Sequence, residues 1–312
     1  MYYIQQNLFN DLKLNVKPFL KWAGGKTQLI DKFILYLPKE LKEGTITRYV
    51  EPFIGSGAFF FYLVQRFNFK EKIIIDLNKD LIDTYKAIKN NVEEVIKELR
   101  ELTEKFYQLK RYERKEFYYE IRDAFNKIRK TDHFPYQKSA QLIFLNKTCY
   151  NGLYRVNSEG DFNVPFGRYS NPKIFSELNL RNISKILQTT LIINGDFSEC
   201  SKYIDKNTFV YFDPPYRPLS NTSNFTSYFN GGFDDNEQKR LAELFNHLDT
   251  LGAKLMLSNS DPKNVNPDDN FFESLFNKEH YSITRIEAKR LINSNARKRG
   301  KISELLITNY PV

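Results

Sequence analysis

The residues best suited to chemistry stand in one run, Asp213-Pro214-Pro215-Tyr216, directly behind the apolar stretch Thr208-Phe209-Val210-Tyr211-Phe212. Two consecutive prolines remove two backbone donors and fix two φ angles, so the chain leaves a strand along a rigid path with its carbonyls available as acceptors. An aspartate oxygen and a proline carbonyl then form a fixed pair of acceptors. Such a pair suits an exocyclic amino group, which has two N–H donors, and Tyr216 offers a ring to stack on the base that bears it. The amino lone pair of adenine or cytosine is delocalised into the ring and is a poor nucleophile. Holding both N–H bonds favours a pyramidal nitrogen with its lone pair turned toward an electrophile. The same four residues would also make a plain turn after an edge strand, because Asp-Pro is a common turn former. By itself the tetrapeptide leaves both readings open.

A second run, Glu51-Pro52-Phe53-Ile54-Gly55-Ser56-Gly57, reads as the end of a strand, a glycine turn and the entry to a helix. It has a G-x-G core and lacks the third glycine of the dinucleotide fingerprint, so alone it is a weak signal. Gly55 and Gly57 would let the backbone approach a ligand closely, and Asp76 ends the next β-branched run about 20 residues on, where an acidic side chain accepts ribose hydroxyls. Together they favour a nucleoside-containing cofactor; tight packing for the glycines and a helix cap for Asp76 is the alternative. Ala23-Gly24-Gly25-Lys26-Thr27 mimics the end of a P-loop, but Leu20 stands where the pattern needs its first glycine.

These residues need a sheet to hold them. Tyr49 to Glu51 and Ile73 to Ile75, each followed by a helix-like segment, make a repeated βα unit, which argues for a parallel sheet covered on both faces. The rhythm returns with Thr190 to Ile193, Phe209 to Phe212, Lys254 to Leu257 and Ile302 to Thr308. All but the last end in polar clusters: Asn194-Gly195-Asp196, the Asp213 tetrapeptide, and Ser258-Asn259-Ser260-Asp261. In open α/β sheets ligands bind beyond the carboxyl ends of the strands. Between these halves, the pattern from about Asn91 is helical and charged through Lys130. Another helix over Tyr136 to Leu145 and a hairpin-like Asn146 to Tyr169 turning at Ser158-Glu159-Gly160 follow. The expected architecture is α/β: a Rossmann-like, mostly parallel sheet with helices on both faces. Residues 1–86 and 185–312 would form one discontinuous catalytic domain, and 87–184 an inserted, mainly α-helical subdomain with a β-hairpin.

Composition narrows the function. The 312 residues are 41% apolar and 27% charged, enough for a real core, which excludes disorder and fibrous repeats. Cys149 and Cys200 are too few for a disulfide framework, and with His133, His247 and His280 they supply no zinc set. No apolar stretch reaches ~18 residues and Met1 to Asn15 lacks a signal pattern, so a cytoplasmic, soluble protein without a membrane partner is expected. The net charge of +9 points to a polyanion only if it clusters. It does so between Arg285 and Lys301, where Arg285, Lys289, Arg290, Arg297, Lys298, Arg299 and Lys301 face only Glu287. Such a patch would contact phosphates.

In this order the blocks resemble the Dam-like, alpha-group DNA adenine-N6 methyltransferases. The matching blocks are Phe19-Leu20-Lys21-Trp22-Ala23-Gly24-Gly25-Lys26, the Glu51 turn, Asp76-Leu77-Asn78, the insertion, and Asp213-Pro214-Pro215-Tyr216. The resemblance covers most of the chain. It implies S-adenosyl-L-methionine as cofactor, held by Trp22, Lys26, Phe53, Gly55, Gly57, Asp76 on the ribose, Asp196 on the adenine, and Asp213, which would also touch the target amino group. It implies double-stranded DNA as partner, with Asp213, Pro214, Pro215 and Tyr216 as the catalytic tetrapeptide; the cysteine and histidine content gives no reason to expect a metal.

Asn146 to Arg155 followed by Phe162 to Tyr169 looks like the family's recognition hairpin. The resemblance places Tyr150 and Asn151 in the base stack beside a flipped adenine, Leu153, Arg155, Pro165 and Tyr169 on outer bases, and Lys21 on a base. Arg155 suits a bidentate contact to guanine, and a proline with a tyrosine can pack on a thymine methyl. GATC is the expected target, with Arg297, Lys298 and Arg299 on phosphates. Asn221 to Phe233 is expected to order when DNA and cofactor bind. The sequence leaves open a solitary methylase or one allied to a restriction endonuclease, and a monomer or a weak dimer on DNA. The rival readings are cytosine-N4 methylation, a PD…(D/E)xK nuclease built on Pro267-Asp268 and Glu287-Ala288-Lys289, and a non-catalytic DNA-binding module.

Overall fold

A computed structural model describes residues 15–22, 29–217, 233–277, 279–289 and 301–311. Its centre is a seven-stranded sheet: β1 (Arg48–Glu51), β2 (Glu71–Asp76), β3 (Thr190–Asn194), β4 (Thr208–Phe212), β5 (Lys254–Ser260), β6 (Ser282–Lys289) and β7 (Lys301–Thr308), in the order β3-β2-β1-β4-β5-β7-β6. The first five run parallel and β7 inserts antiparallel between β5 and β6.

Side chains alternate across this sheet, as a period of two requires. Tyr49, Ile74, Phe209, Tyr211, Met256 and Leu306 join one core; Val50, Ile73, Ile75, Val210, Phe212, Leu257 and Ile307 join the other. The first face is covered by α1 (Ile30–Phe33), α2 (Lys39–Lys42), α3 (Ala58–Val64), α4 (Lys79–Gln108), α5 (Glu113–Ile128), α6 (Pro135–Thr148) and α7 (Glu177–Leu187). The second is covered by α8 (Asp235–Thr250) and α9 (Phe271–Leu275). Burial on both faces is why the inner strands read as unbroken apolar runs. Among the described residues no helix is long and apolar enough to cross a membrane.

The helical stretch 79–148 packs α4 on α6 and α6 on α5, and its interior (Leu99, Phe106, Phe125, Phe144) is continuous with the core under the sheet. Asn78 caps α4 by accepting from the Leu81 amide, and at Asn91 the helix breaks, with φ −154° and ψ 82°. That break falls where the sequence pattern changes.

Three expectations need correction. The basic run beginning at Arg285 is in part a strand, β6, which was not foreseen. Ser258-Asn259-Ser260 belongs to β5 instead of to a loop after it. The hairpin at 149–166 is held by two isolated antiparallel bridges, Cys149↔Phe166 and Val156↔Phe162, in place of a ladder. Lys26, Arg297, Lys298, Arg299 and nearly all of the 221–233 segment lie outside the described residues.

Candidate active site

The carboxyl ends of β1, β2, β4 and β5 are adjacent, and the sequence-predicted cofactor residues gather there. Gly55 and Gly57 follow β1 with φ +47° and +71°, a region that favours glycine. A Cβ on Gly55 would meet the Trp22 ring at 2.9 Å, and one on Gly57 would meet Tyr85 Oη at 2.7 Å. Both glycines are therefore required by close approach as well as by backbone angle. Gly55 donates its amide to Asp76 Oδ2 at 3.0 Å and Asn78 donates to Asp76 Oδ1 at 2.9 Å, which fixes the carboxylate at the end of β2. Burial pushes the Asp76 carboxyl up to about 6 in spite of these donors.

Trp22 stacks on Tyr154 at 5.6 Å, and Phe53 stacks on Phe197 at 5.2 Å with the edge of Phe233 against it. Asp196 caps the short 3-10 turn Phe197–Tyr203 and receives Arg240 on both oxygens at 2.8 Å. That guanidinium, with Ser198, holds its carboxyl well below the usual carboxylate range. A ligand amino group at Asp196 would share oxygens that Arg240 already occupies.

Asp213-Pro214-Pro215-Tyr216 leaves β4 between β1 and β5. Asp213 Oδ1 accepts from Ser258 Oγ at 3.1 Å, the Pro215 carbonyl accepts from Gln238 Nε2 at 3.1 Å, and Tyr216 Oη donates to Glu304 Oε2 at 2.5 Å. The next residue, Arg217, donates its amide to Asn259 and its side chain to Asp235 and Asp269, with its guanidinium 4.0 Å over the Phe271 ring. The tetrapeptide is thus tied down from β5, β7 and α8.

Beneath it lies Glu51, buried at the end of β1 and accepting from Tyr49 Oη at 2.5 Å. Burial pushes the Glu51 carboxyl well above its usual range; the Tyr49 hydroxyl opposes the shift and the charge of Asp213 adds to it. Two carboxyl groups close enough to feel one another, one of them desolvated, are the arrangement in which one stays ionised and the other takes up the proton.

The expected DNA-reading residues form a group beside this crevice. Tyr150 is 53% exposed, and Asn151 takes the left-handed conformation at φ +55° with its amide donating to Tyr169 Oη at 3.1 Å. Lys21 Nζ sits 4.4 Å over the Tyr169 ring. The Asn146 side chain bonds the Lys21 amide and carbonyl and the Gly152 carbonyl, joining the N-terminal segment to the hairpin. Gly152 has φ +64°, and a Cβ there would strike the Lys21 side chain at 2.5 Å. Pro165 and Arg155 are exposed and Leu153 is half-buried. Arg155 Nε donates to Asn163 Oδ1 at 2.7 Å, which aims the guanidinium along the surface. Cys149 is buried and its thiol is pushed up to about 12 by that burial, which makes it a packed group.

Not every basic residue singled out is without an acidic neighbour. Arg285, though exposed, bonds Asp261 at 2.9 Å and Glu273 at 2.5 Å, so two carboxylates offset its charge at the surface. Sequence reasoning placed Ser258 and Asn259 at a ligand-facing strand end without giving them a role, and it missed Gln238, Arg217, Glu304 and the buried state of Glu51. One signal for part of this set was present: a polar Ser-Asn-Ser triplet closes an otherwise apolar strand.

Residues 22–292 match the D12 class N6 adenine-specific DNA methyltransferases. The chain belongs to that family. It is 54% identical over 298 residues to the type II methyltransferase M.MjaIII of Methanocaldococcus jannaschii, covering 95% of this chain and 100% of the relative. It is 38% identical to the type II methyltransferase M1.LlaDCHI of Lactococcus lactis subsp. cremoris, covering 97% and 99%, and 34% identical to the DNA adenine methylase of Escherichia coli K12, covering 95% and 96%. The chain is therefore a DNA adenine-N6 methyltransferase that uses a methyl donor and acts on DNA. The cytosine-N4, nuclease and non-catalytic readings fall away. The expected Rossmann-like sheet agrees with this family.

Proposed function

We propose that this methyltransferase takes its methyl group from S-adenosylmethionine and delivers it to an adenine flipped out of a GATC site in duplex DNA. The observation that carries the reading is the convergence at adjacent strand ends of a glycine turn, the Asp76 carboxylate and the Asp213 tetrapeptide, with the Tyr150–Tyr169 hairpin beside them. The crevice fits the donor chemically: Asp76 presents a carboxylate at the usual ribose position, and the positive-φ glycines hold the turn that fixes it.

When bound, S-adenosylmethionine supplies an electrophilic methyl on a sulfonium. The chain's own residues do the rest. Asp213 and a proline carbonyl would hold the two N6 hydrogens so that the lone pair faces the methyl, and Tyr216 would stack on the base; as the N–C bond forms the methyl–sulfur bond breaks, the sulfonium leaves as a neutral thioether, and the surplus N6 proton passes to solvent. A base inside the duplex cannot reach Asp213, so it must leave the stack, with Tyr150 or Asn151 filling the gap. Arg155, Leu153, Pro165, Tyr169 and Lys21 would read the outer pairs, and Arg297, Lys298 and Arg299 would contact phosphates. Residues 87–184 would serve as the target-recognition domain within a catalytic domain of 1–86 and 185–312.

The relatives named type II methyltransferases match at 54% and 38% against 34% for the named DNA adenine methylase, which supports a role in host protection alongside a restriction endonuclease.

Cofactor binding tests the Asp76 assignment. Ribose hydroxyls donate to the ionised carboxylate, and the folded group titrates at about 6, above its ordinary value. Affinity for S-adenosylmethionine should therefore hold above pH about 6 and fall as pH drops through it, while Asp76→Asn binds weakly and without that pH dependence. Calorimetric titration between pH 5 and 8 reads both; a pH-independent wild-type affinity would remove Asp76 from the ribose.

A further inference from the structure

Ser258 sits on β5 one register step beyond the Phe212↔Leu257 pair, so its side chain lies beside Asp213. It is fully buried, in a strand whose preceding residues are Leu255, Met256 and Leu257, and a buried hydroxyl is costly unless it is bonded. Ser258 has one hydrogen and two acceptors that only accept, Asp213 Oδ1 at 3.1 Å and the Phe212 carbonyl at 3.5 Å. The shorter contact, to a carboxylate, takes the hydrogen. The contact of 2.9 Å with Tyr211 Oη must then run from tyrosine to serine. Burial, and next the charge of Asp213, push the Tyr211 hydroxyl well above its usual range, so it stays a donor. The result is a buried chain, Tyr211 O–H to Ser258 O–H to Asp213, in which each bond polarises the next.

We propose that Ser258 is a positioning residue for methyl transfer, fixing the rotation of the Asp213 carboxylate from behind, with Tyr211 acting through it. This rests on the reading that Asp213 grips the target amino group. Asp213 is a short side chain on an irregular segment, and a reacting group held loosely loses most of the benefit of orientation. One carboxylate oxygen tied to the sheet sets the plane of the other. The neighbouring residues serve a separate purpose: Asn259 and Ser260 bond the Arg217 backbone and so hold the chain after the tetrapeptide.

The test is steady-state and single-turnover kinetics of Ser258→Ala, Tyr211→Phe and the double variant, with Asp213→Ala alongside. Ser258→Ala should lower kcat about 10–100-fold, as loss of an outer partner of a reacting group does, with KM for DNA and for S-adenosylmethionine unchanged. Because a hydrogen bond to the charged form favours that form, the acid limb of its kcat profile should move to higher pH. Tyr211→Phe should show the same signature at smaller size, and the double variant should be no slower than Ser258→Ala, since the tyrosine has nothing left to act through.

Wild-type kcat and acid limb in Ser258→Ala, or losses that multiply in the double variant, would overturn the proposal. Should Ser258→Ala fail to fold, Tyr211→Phe alone decides, through its kcat and its acid limb. Turnover retained in Asp213→Ala would instead strike the underlying reading, whatever the serine variant does.

Discussion

Asp213→Ala is expected to lower single-turnover methylation by at least about 10²–10³-fold, the cost of removing one preorganised polar group from a developing charge, while duplex binding stays within a few-fold of wild type. The asymmetry follows from where the residue sits. Asp213 lies at the floor of the crevice, bonded to Ser258 and close enough to Glu51 to raise its carboxyl, whereas the hairpin residues assigned to DNA are held by Asn146, Lys21 and Tyr169 without its help. Asp213→Asn keeps one acceptor oxygen and should fall between wild type and alanine. Gel-shift titration and labelled-methyl transfer on one preparation separate the two properties. An alanine variant within tenfold of wild-type turnover would contradict the role given to Asp213.

The second large effect concerns stability. Asp80, in the first turn of α4 and 5% exposed, accepts from Arg129 Nε at 2.9 Å, from Arg129 NH2 at 2.5 Å and from Tyr154 Oη at 2.6 Å. Its position at a helix N-terminus adds a favourable dipole. Removing one partner of a buried pair strands the other charge, which costs about 3–5 kcal/mol. Asp80→Ala should accordingly lower the thermal midpoint by roughly 5–8 °C for a chain of 312 residues. Tyr154→Phe deletes two hydrogen bonds, one given to Asp80 and one taken from Arg129, leaves the pair intact and should cost about 1–3 kcal/mol. Because Tyr154 stacks on Trp22, Asp80→Ala should also weaken cofactor binding in the fraction that remains folded. A midpoint unchanged within 2 °C would mean that water, and not Asp80, satisfies Arg129.

The parallel half of the sheet was legible because its strands are buried on both faces and therefore appear as apolar runs punctuated by turns. β6 was not. In Ser-Ile-Thr-Arg-Ile-Glu-Ala-Lys the two isoleucines are three apart, which breaks a period of two, and its charges drew attention as a basic patch; charged side chains on an edge also guard it against pairing with other chains. The hairpin failed to form a ladder for a local reason: Asn151, Gly152 and Arg168 all take positive φ and Pro165 has no amide to donate.

The strand-end blocks showed the chemistry because backbone constraint is written in residue type: proline, glycine and a terminal aspartate. What sequence could not show is contact at a distance. Asp80 reaches Arg129 and Tyr154, Tyr216 reaches Glu304, and Ser258 reaches Asp213 only after the sheet closes, and none of these pairs has a spacing to betray it.

The most direct test of the whole account is transfer of labelled methyl from S-adenosylmethionine to two duplexes that differ only in a GATC or a scrambled site, followed by nucleoside analysis. The account predicts N6-methyladenine on the GATC duplex alone. Equal methylation of both duplexes, or methylation of the scrambled one only, would contradict the assignment of Arg155, Leu153, Pro165, Tyr169 and Lys21 to that sequence.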